Sequence, residues 1–124
     1  MSERGFSLAE ALVALAIMGI AIVGVTPLFM TYLDANTMTE QRSGGVAAAQ
    51  QILEGLRAQN PSSLPSSGAS AAQSVMVGGR VYEVTTRYCA NASFCDAVSR
   101  HVLVEVTYRG TRIFSAETVF TKLH

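Results

Sequence analysis

At 124 residues with 49% hydrophobic side chains, the chain has room for one small domain and one membrane helix, and a second domain with its own core is excluded. Nine Lys and Arg against nine Asp and Glu leave no net charge. That balance lacks the basic excess that binding to a phosphate backbone demands.

The chain begins with a short polar leader, residues 1–5, in which Arg4 is the only basic side chain. The string Gly5-Phe6-Ser7-Leu8-Ala9-Glu10 follows, and then residues 11–30 run without a charge. A helix rises about 1.5 Å per residue and needs ~20 apolar residues to cross a bilayer, which this run supplies. A secretory signal has a shorter apolar core followed by a small-x-small cleavage site. Thr31-Tyr32-Leu33-Asp34-Ala35 is a poor site of that kind, so the helix is expected to be retained. A buried core helix of a soluble protein is the bland alternative. Glu10 needs a separate reason, because a carboxylate near the bilayer centre costs at least ~2.5–3.5 kcal/mol unless it has a partner or lies among headgroups. It is either an interfacial residue marking the helix end or the partner of a cation. A cut between Gly5 and Phe6 would create such a cation, an α-amino group four residues before it.

Gly5-Phe6-Ser7-Leu8-Ala9-Glu10 followed by Ala11-Leu12-Val13-Ala14-Leu15-Ala16-Ile17 resembles the class III signal of type IV pilins and of the pseudopilins of type II secretion. The resemblance implies that a prepilin peptidase cuts between Gly5 and Phe6 and N-methylates Phe6. It implies also that Glu10 pairs with the N-terminal amine of a neighbouring subunit during assembly. The implied partners are other pilin subunits, the prepilin peptidase, an inner-membrane assembly platform and, before assembly, the lipid bilayer. The implied location is the bacterial inner membrane, with the C-terminal head outside the cytoplasm, and afterwards a filament. Pro27 lacks an N–H and costs ~3 kcal/mol inside a helix, so a kink or a local melt is expected near Gly24-Val25-Thr26. Many type IV pilins carry a proline at the matching position. Pro27 therefore points to a pilus rather than a secretion pseudopilus. The compact size, the Leu12-Val13-Ala14-Leu15-Ala16-Ile17 run and the lack of a cysteine pair bracketing the C-terminal region resemble a minor pilin of the PilV type, with a minor pseudopilin as the alternative and an uncleaved single-pass anchor as a further one.

Residues 6–33 form the hydrophobic segment, and residues 34–59 are expected to continue as an amphipathic helix. Val46, Ala49, Leu53 and Leu56 recur at helical steps, with Ile52 widening the stripe, and together they predict a face laid on a sheet. Ser43-Gly44-Gly45 reads as a soft spot where the helix bends or loosens, and Asn60-Pro61 ends it. Unbroken from residue 6 to 58, it would measure ~80 Å. Residues 60–74 read as a serine-rich connector with little to bury, matching a variable surface loop of pilins.

From residue 75 to 124 the period becomes two. Residues 75–77, Gly78-Gly79 and residues 80–88 predict a hairpin with Tyr82, Val84, Thr86 and Tyr88 on one face. Residues 100–108 place Val102, Val104, Val106 and Tyr108 together, and Arg109-Gly110-Thr111 turns into residues 112–120. The expected fold is α+β: a long N-terminal helix packed on a small antiparallel meander, as in type IV pilins. A sheet of this size is insecure alone, so Ile52, Leu53 and Leu56 are expected to cover Val102, Val104 and Val106.

The site inventory is short. Cys89 and Cys95, on the presumed exported side, suggest one small disulfide loop. A metal site from Cys89, Cys95, Asp96 and His101 is the weaker reading, because the spacing matches no zinc pattern. No catalytic set, cofactor or metal is expected. His101 reads as a surface or edge histidine and His124 is the last residue, neither beside a nucleophile and an acid. Gly78-Gly79 lacks the lysine and helix of a phosphate loop, and Asn91-Ala92-Ser93 is taken as a chance sequon. Residues 60–124 hold six Lys and Arg against four acids, too small an excess for DNA, although Arg109 and Arg112 would be the first residues to test.

Overall fold

The computed structural model describes residues 5–122, which divide into two compact units between Met38 and Thr39. One helix, α1 (Leu8–Arg57), runs through both. It starts where Ser7 supplies a cap: the Ser7 hydroxyl accepts the Glu10 N–H at 3.2 Å, and the Ser7 carbonyl accepts that of Ala11 at 3.1 Å. Ser7 and Glu10 have the spacing of a capping box, with the acid in the first turn where the helix dipole favours it.

Among the described residues of the first unit no side chain is buried, and the most apolar eighteen-residue window of α1 has mean hydropathy 2.5. The helix is long and apolar enough to cross a membrane. The melt expected near Gly24-Val25-Thr26 is absent: residues there are helical on both sides of Pro27. Hydroxyls add local bonds around the proline, from Thr26 to the Ile22 carbonyl at 2.8 Å and from Thr31 to the Pro27 carbonyl at 3.0 Å.

The second unit is an α+β head. Its sheet comprises β1 (Gln73–Val77), β2 (Arg80–Tyr88), β3 (Ser99–Tyr108) and β4 (Thr111–Thr121), antiparallel and in the order β1-β2-β3-β4. Two-residue turns join the first and last pairs. Gly78 and Gly79 have φ of 56° and 76°, and Arg109 and Gly110 have 51° and 80°, the left-handed pair that lets a hairpin follow the natural strand twist. Arg109 bears the cost of that conformation as a non-glycine residue, with its guanidinium 5.4 Å from the centre of the Tyr108 ring.

Val102, Val104 and Val106 of β3 are fully buried, flanked by Tyr82, Val84 and Thr86 of β2, and Ala48, Ala49 and Leu56 of α1 complete the core. Ile52 and Leu53 pack on it half-buried. The buried stripe on the helix is Gly45, Ala48, Ala49 and Leu56, so Val46 is displaced from the centre predicted for it and is half-buried.

Gly44 and Gly45 are where the sequence reading needs correction. The helix does not loosen into another conformation there; it stays α-helical and presses on the sheet. A Cβ on Gly44 would lie 2.2 Å from the Tyr82 hydroxyl oxygen, and one on Gly45 would lie 2.7 Å from Ile113 Cδ1. Ile113 reaches that point through a bulge: Val106 faces Phe114 and Thr107 faces Arg112, which leaves Ile113 as the extra residue of β4.

The connector also departs from expectation. Pro61–Ser63 forms a 3-10 turn capped by the Asn60 side chain, and Leu64 is only 5% exposed within the core. Residues 68–70 extend the sheet beside β2, with Tyr88 N–H bonded to the Gly68 carbonyl at 2.8 Å and Ser70 N–H to that of Thr86 at 2.7 Å.

Candidate functional site

Gly5 and Phe6 precede α1 and are solvent-exposed, Phe6 at 75%. The peptide bond between them is thus on accessible chain outside any helix or strand, as a peptidase requires, while Ser7, the next residue, is already held by the helix cap. Glu10 is exposed, with its backbone N–H engaged by Ser7. Its carboxylate and the terminus that a cut at Gly5 would create lie on the same end of the same helix. Residues 1–4 of the leader, including Arg4, and His124 lie outside the described residues. Beyond Glu10 the large apolar side chains of the first unit, among them Leu12, Leu15, Ile20 and Leu28, are exposed.

On the head, Cys89 and Cys95 form a disulfide, so neither thiolate is free to bind a metal. Asp96 is committed as well: its carboxylate accepts the N–H groups of Val98 at 2.7 Å and Ser99 at 2.8 Å. The bond from Val98, then those from Ser99, hold its pKa below the usual carboxylate range.

His101 is not the surface or edge residue expected from its place in the strand, being 3% exposed. Strand alternation does point it away from the valine core, but the disulfide loop folds over it. The residue organises that loop. Its carbonyl accepts the Cys89 N–H at 2.8 Å, its N–H donates to Cys95 Sγ at 3.2 Å, and its Nδ1 accepts the Asn91 N–H at 3.4 Å. With Nδ1 an acceptor, the neutral ring carries its proton on Nε2, 3.6 Å from a Glu117 carboxylate oxygen, and Phe94 stacks on the ring at 6.3 Å between centres. These contacts are those of a buried structural histidine. A lone histidine in an alternating strand gives no hint of them; the signal available was the pair of cysteines placed six residues apart just before it.

Two charged constellations were not anticipated. Arg80 reaches from the first hairpin to α1 and grips Glu40 through two bonds, at 2.7 and 3.1 Å. The hydrogen bond from Arg80 and its charge hold the Glu40 carboxyl below the ordinary range, and Arg80 is correspondingly raised. On the outer face of the sheet, Glu105 receives Arg87 at 3.2 Å and Arg112 at 2.9 Å, a cross-strand row over β2, β3 and β4. Arg112, one of the two residues singled out for DNA, is therefore already engaged by a carboxylate.

Residues 1–26 match the family model described as the prokaryotic N-terminal methylation motif. No curated protein and no solved structure matches the chain. The match supports a type IV pilin-like family and a type IV pilin-like or pseudopilin role. The motif implies processing by prepilin peptidase and assembly with other pilin subunits, and with the apolar helix it fits a protein that is membrane-anchored first and in a filament later. The family that carries this motif is structural rather than enzymatic.

Proposed function

We propose that the chain is the precursor of a minor pilin in a type IV pilus-like filament. Cleavage between Gly5 and Phe6 yields an N-methylated Phe6 terminus, and Glu10 of one subunit receives the terminal ammonium of the next. The observation that carries this reading is the methylation motif over residues 1–26, whose Gly5-Phe6 bond lies exposed just ahead of the capped start of an unburied apolar helix. Charge pairing in an apolar environment is what makes such a contact selective. An isolated carboxylate or ammonium there is heavily penalised, and only the axial offset that joins the two relieves both. Pro27 within the apolar segment favours a pilus over a secretion pseudopilus.

The test is the intact mass of the protein isolated from membranes and from sheared filaments of the producing cell. A polypeptide that starts at Phe6 with one added methyl group is expected in both fractions. A protein that keeps its first five residues and never enters the filament fraction refutes the proposal. Deleting the gene separates the two filament types: lost pilus-dependent movement is expected, whereas lost protein secretion with normal pili identifies a pseudopilin.

A further inference from the structure

β4 is an edge strand of eleven residues with no proline, in contrast to β1, whose five residues blunt the opposite edge. From Phe114 to Thr121 its pairing with β3 is regular, and the Lys122 N–H continues the ladder to the Val98 carbonyl at 3.0 Å. In an antiparallel ladder alternate residues turn both backbone groups toward the partner strand. Counting back from Lys122, the even-numbered residues face β3, so Ser115, Glu117, Val119 and Thr121 turn their N–H and C=O groups outward, with no strand to receive them among the described residues.

Three clefts run along this edge between α1 and β4, and no β3 residue lines any of them. Arg42, Arg112 and Ser115 border one of about 250 Å³ at the start of the strand. Leu53, Glu54, Arg57 and Phe120 border one of about 150 Å³. Arg57, Val119 and Lys122 border one of about 630 Å³ at the end of the strand. Among the lining residues the cations are Arg42, Arg57, Arg112 and Lys122; Arg57 is 3.4 Å from Glu54 and Arg112 is 2.9 Å from Glu105, which leaves Arg42 and Lys122, one toward each end of the strand, with no carboxylate beside them among the described residues. Val119 is 41% exposed on the outer face and Phe120 is half-buried on the core face, so the edge offers an apolar contact on each side.

We infer that β4 is a docking edge that takes up an extended segment of a different polypeptide as a fifth strand, one that alternates apolar and acidic side chains. Main-chain bonds to Ser115, Glu117, Val119 and Thr121 hold it, and its carboxylates meet Arg42 toward one end of the strand and Lys122 at the other. Ten residues separate Arg112 from Lys122, ~33 Å of extended chain, which sets the length of the segment.

The full chain in detergent micelles, titrated with a capped ten-residue peptide alternating valine and glutamate, tests this against the same peptide with lysine for glutamate. The glutamate peptide is expected to bind at least tenfold tighter and to slow amide exchange at Ser115, Glu117, Val119 and Thr121. Val119→Pro removes one outward N–H without touching the β3 ladder and is expected to weaken binding at least tenfold. The double variant Arg42→Glu, Lys122→Glu keeps every backbone group and is expected to lose the preference for glutamate, which decides the matter if the proline variant fails to fold. Equal binding of both peptides, or unchanged binding by a folded Val119→Pro protein, overturns the inference. So does a dimer formed without peptide and abolished by that substitution, because a second copy would then be the occupant.

Discussion

Tyr82 makes Gly44 necessary. The ring is 1% exposed, tilted at 37° against Tyr108 with 5.3 Å between centres, and its hydroxyl lies where a Cβ at position 44 would stand. Replacing a mid-helix glycine with alanine ordinarily stabilises by about 0.5–1 kcal/mol. At Gly44 the clash is with a buried ring that cannot retreat, and overpacking of that kind costs about 1–3 kcal/mol, so Gly44→Ala is expected to lower the melting temperature of the head by several degrees. At Gly45 the obstacle is the terminal methyl of Ile113, which can rotate, and the loss should be smaller. Gly55, with nothing within 4 Å, should show the ordinary gain. Thermal melts of the three variants read this order directly; a Gly44→Ala protein as stable as Gly55→Ala would contradict the close approach. The two acids with lowered pKa values act at the same scale. Glu40, through Arg80, and Asp96, through the N–H groups of Val98 and Ser99, favour the folded state when ionised. Their contribution is complete above the unfolded carboxylate pKa, about 4, and is lost as pH falls through the lower folded values. Melting temperature should hold from pH 7 to 5 and drop below about 4, with a shallower drop in Asp96→Asn, whose amide cannot supply the same ionisation.

The element most in need of its covalent tie is the loop from Cys89 to Cys95. It closes over His101 with a half-turn and a left-handed Cys89, φ 53°, and it has little apolar area of its own to bury. A disulfide across so short a loop contributes about 2–3 kcal/mol. Reduction is expected to lower head stability by about that amount and to release the amides of Cys89 and His101 to faster exchange, while Val104 and Val106 at the sheet centre stay protected; uniform loss of protection across β3 would show that loop and sheet unfold together. The strands themselves were legible in the sequence, because one-sided burial makes alternation obligatory: Tyr82, Val84, Thr86 and Val102, Val104, Val106 occupy the faces their spacing predicts. What escaped was whatever depends on a partner distant in sequence. Glu40 and Arg80 are forty residues apart. Ile113 is the bulge residue of β4, and its side chain lies against the helix at Gly45, sixty-eight positions back. Leu64 is buried though it lies in a serine-rich stretch, and Ser70 joins the sheet by pairing with Thr86. A local pattern carries no record of these contacts. The reading of Gly44 and Gly45 failed for a related reason: helix propensity counts the entropy a glycine costs, but not the room it leaves for a tyrosine.

For the molecule as a whole, Glu10 has two competing explanations that a single substitution would confuse. As the third residue after Ser7 in a capping box it helps start α1, and as an acid with no cation beside it among the described residues, at the margin of an apolar helix, it is the natural receiver for a neighbour's terminus. Glutamine separates them, since it retains the capping geometry and discards the charge. If Glu10 works only as a cap, Glu10→Gln should enter filaments as well as the wild-type chain, and Glu10→Ala should show the deficit, with a helix start weakened by ~1 kcal/mol or less. If Glu10 neutralises the next subunit's ammonium, both variants should be cleaved after Gly5 at near-normal levels and both should be depleted from sheared filaments at least tenfold. The charge interpretation predicts one further result. Glu10→Gln should be rescued in part when the incoming terminus is left uncharged, so a co-expressed subunit whose amine is blocked after processing should pack beside it better than beside the wild type. Immunoblots of cleaved protein in membrane and filament fractions distinguish the two accounts. Full incorporation of Glu10→Gln would leave the acid as a helix cap and require another origin for the register of the assembly.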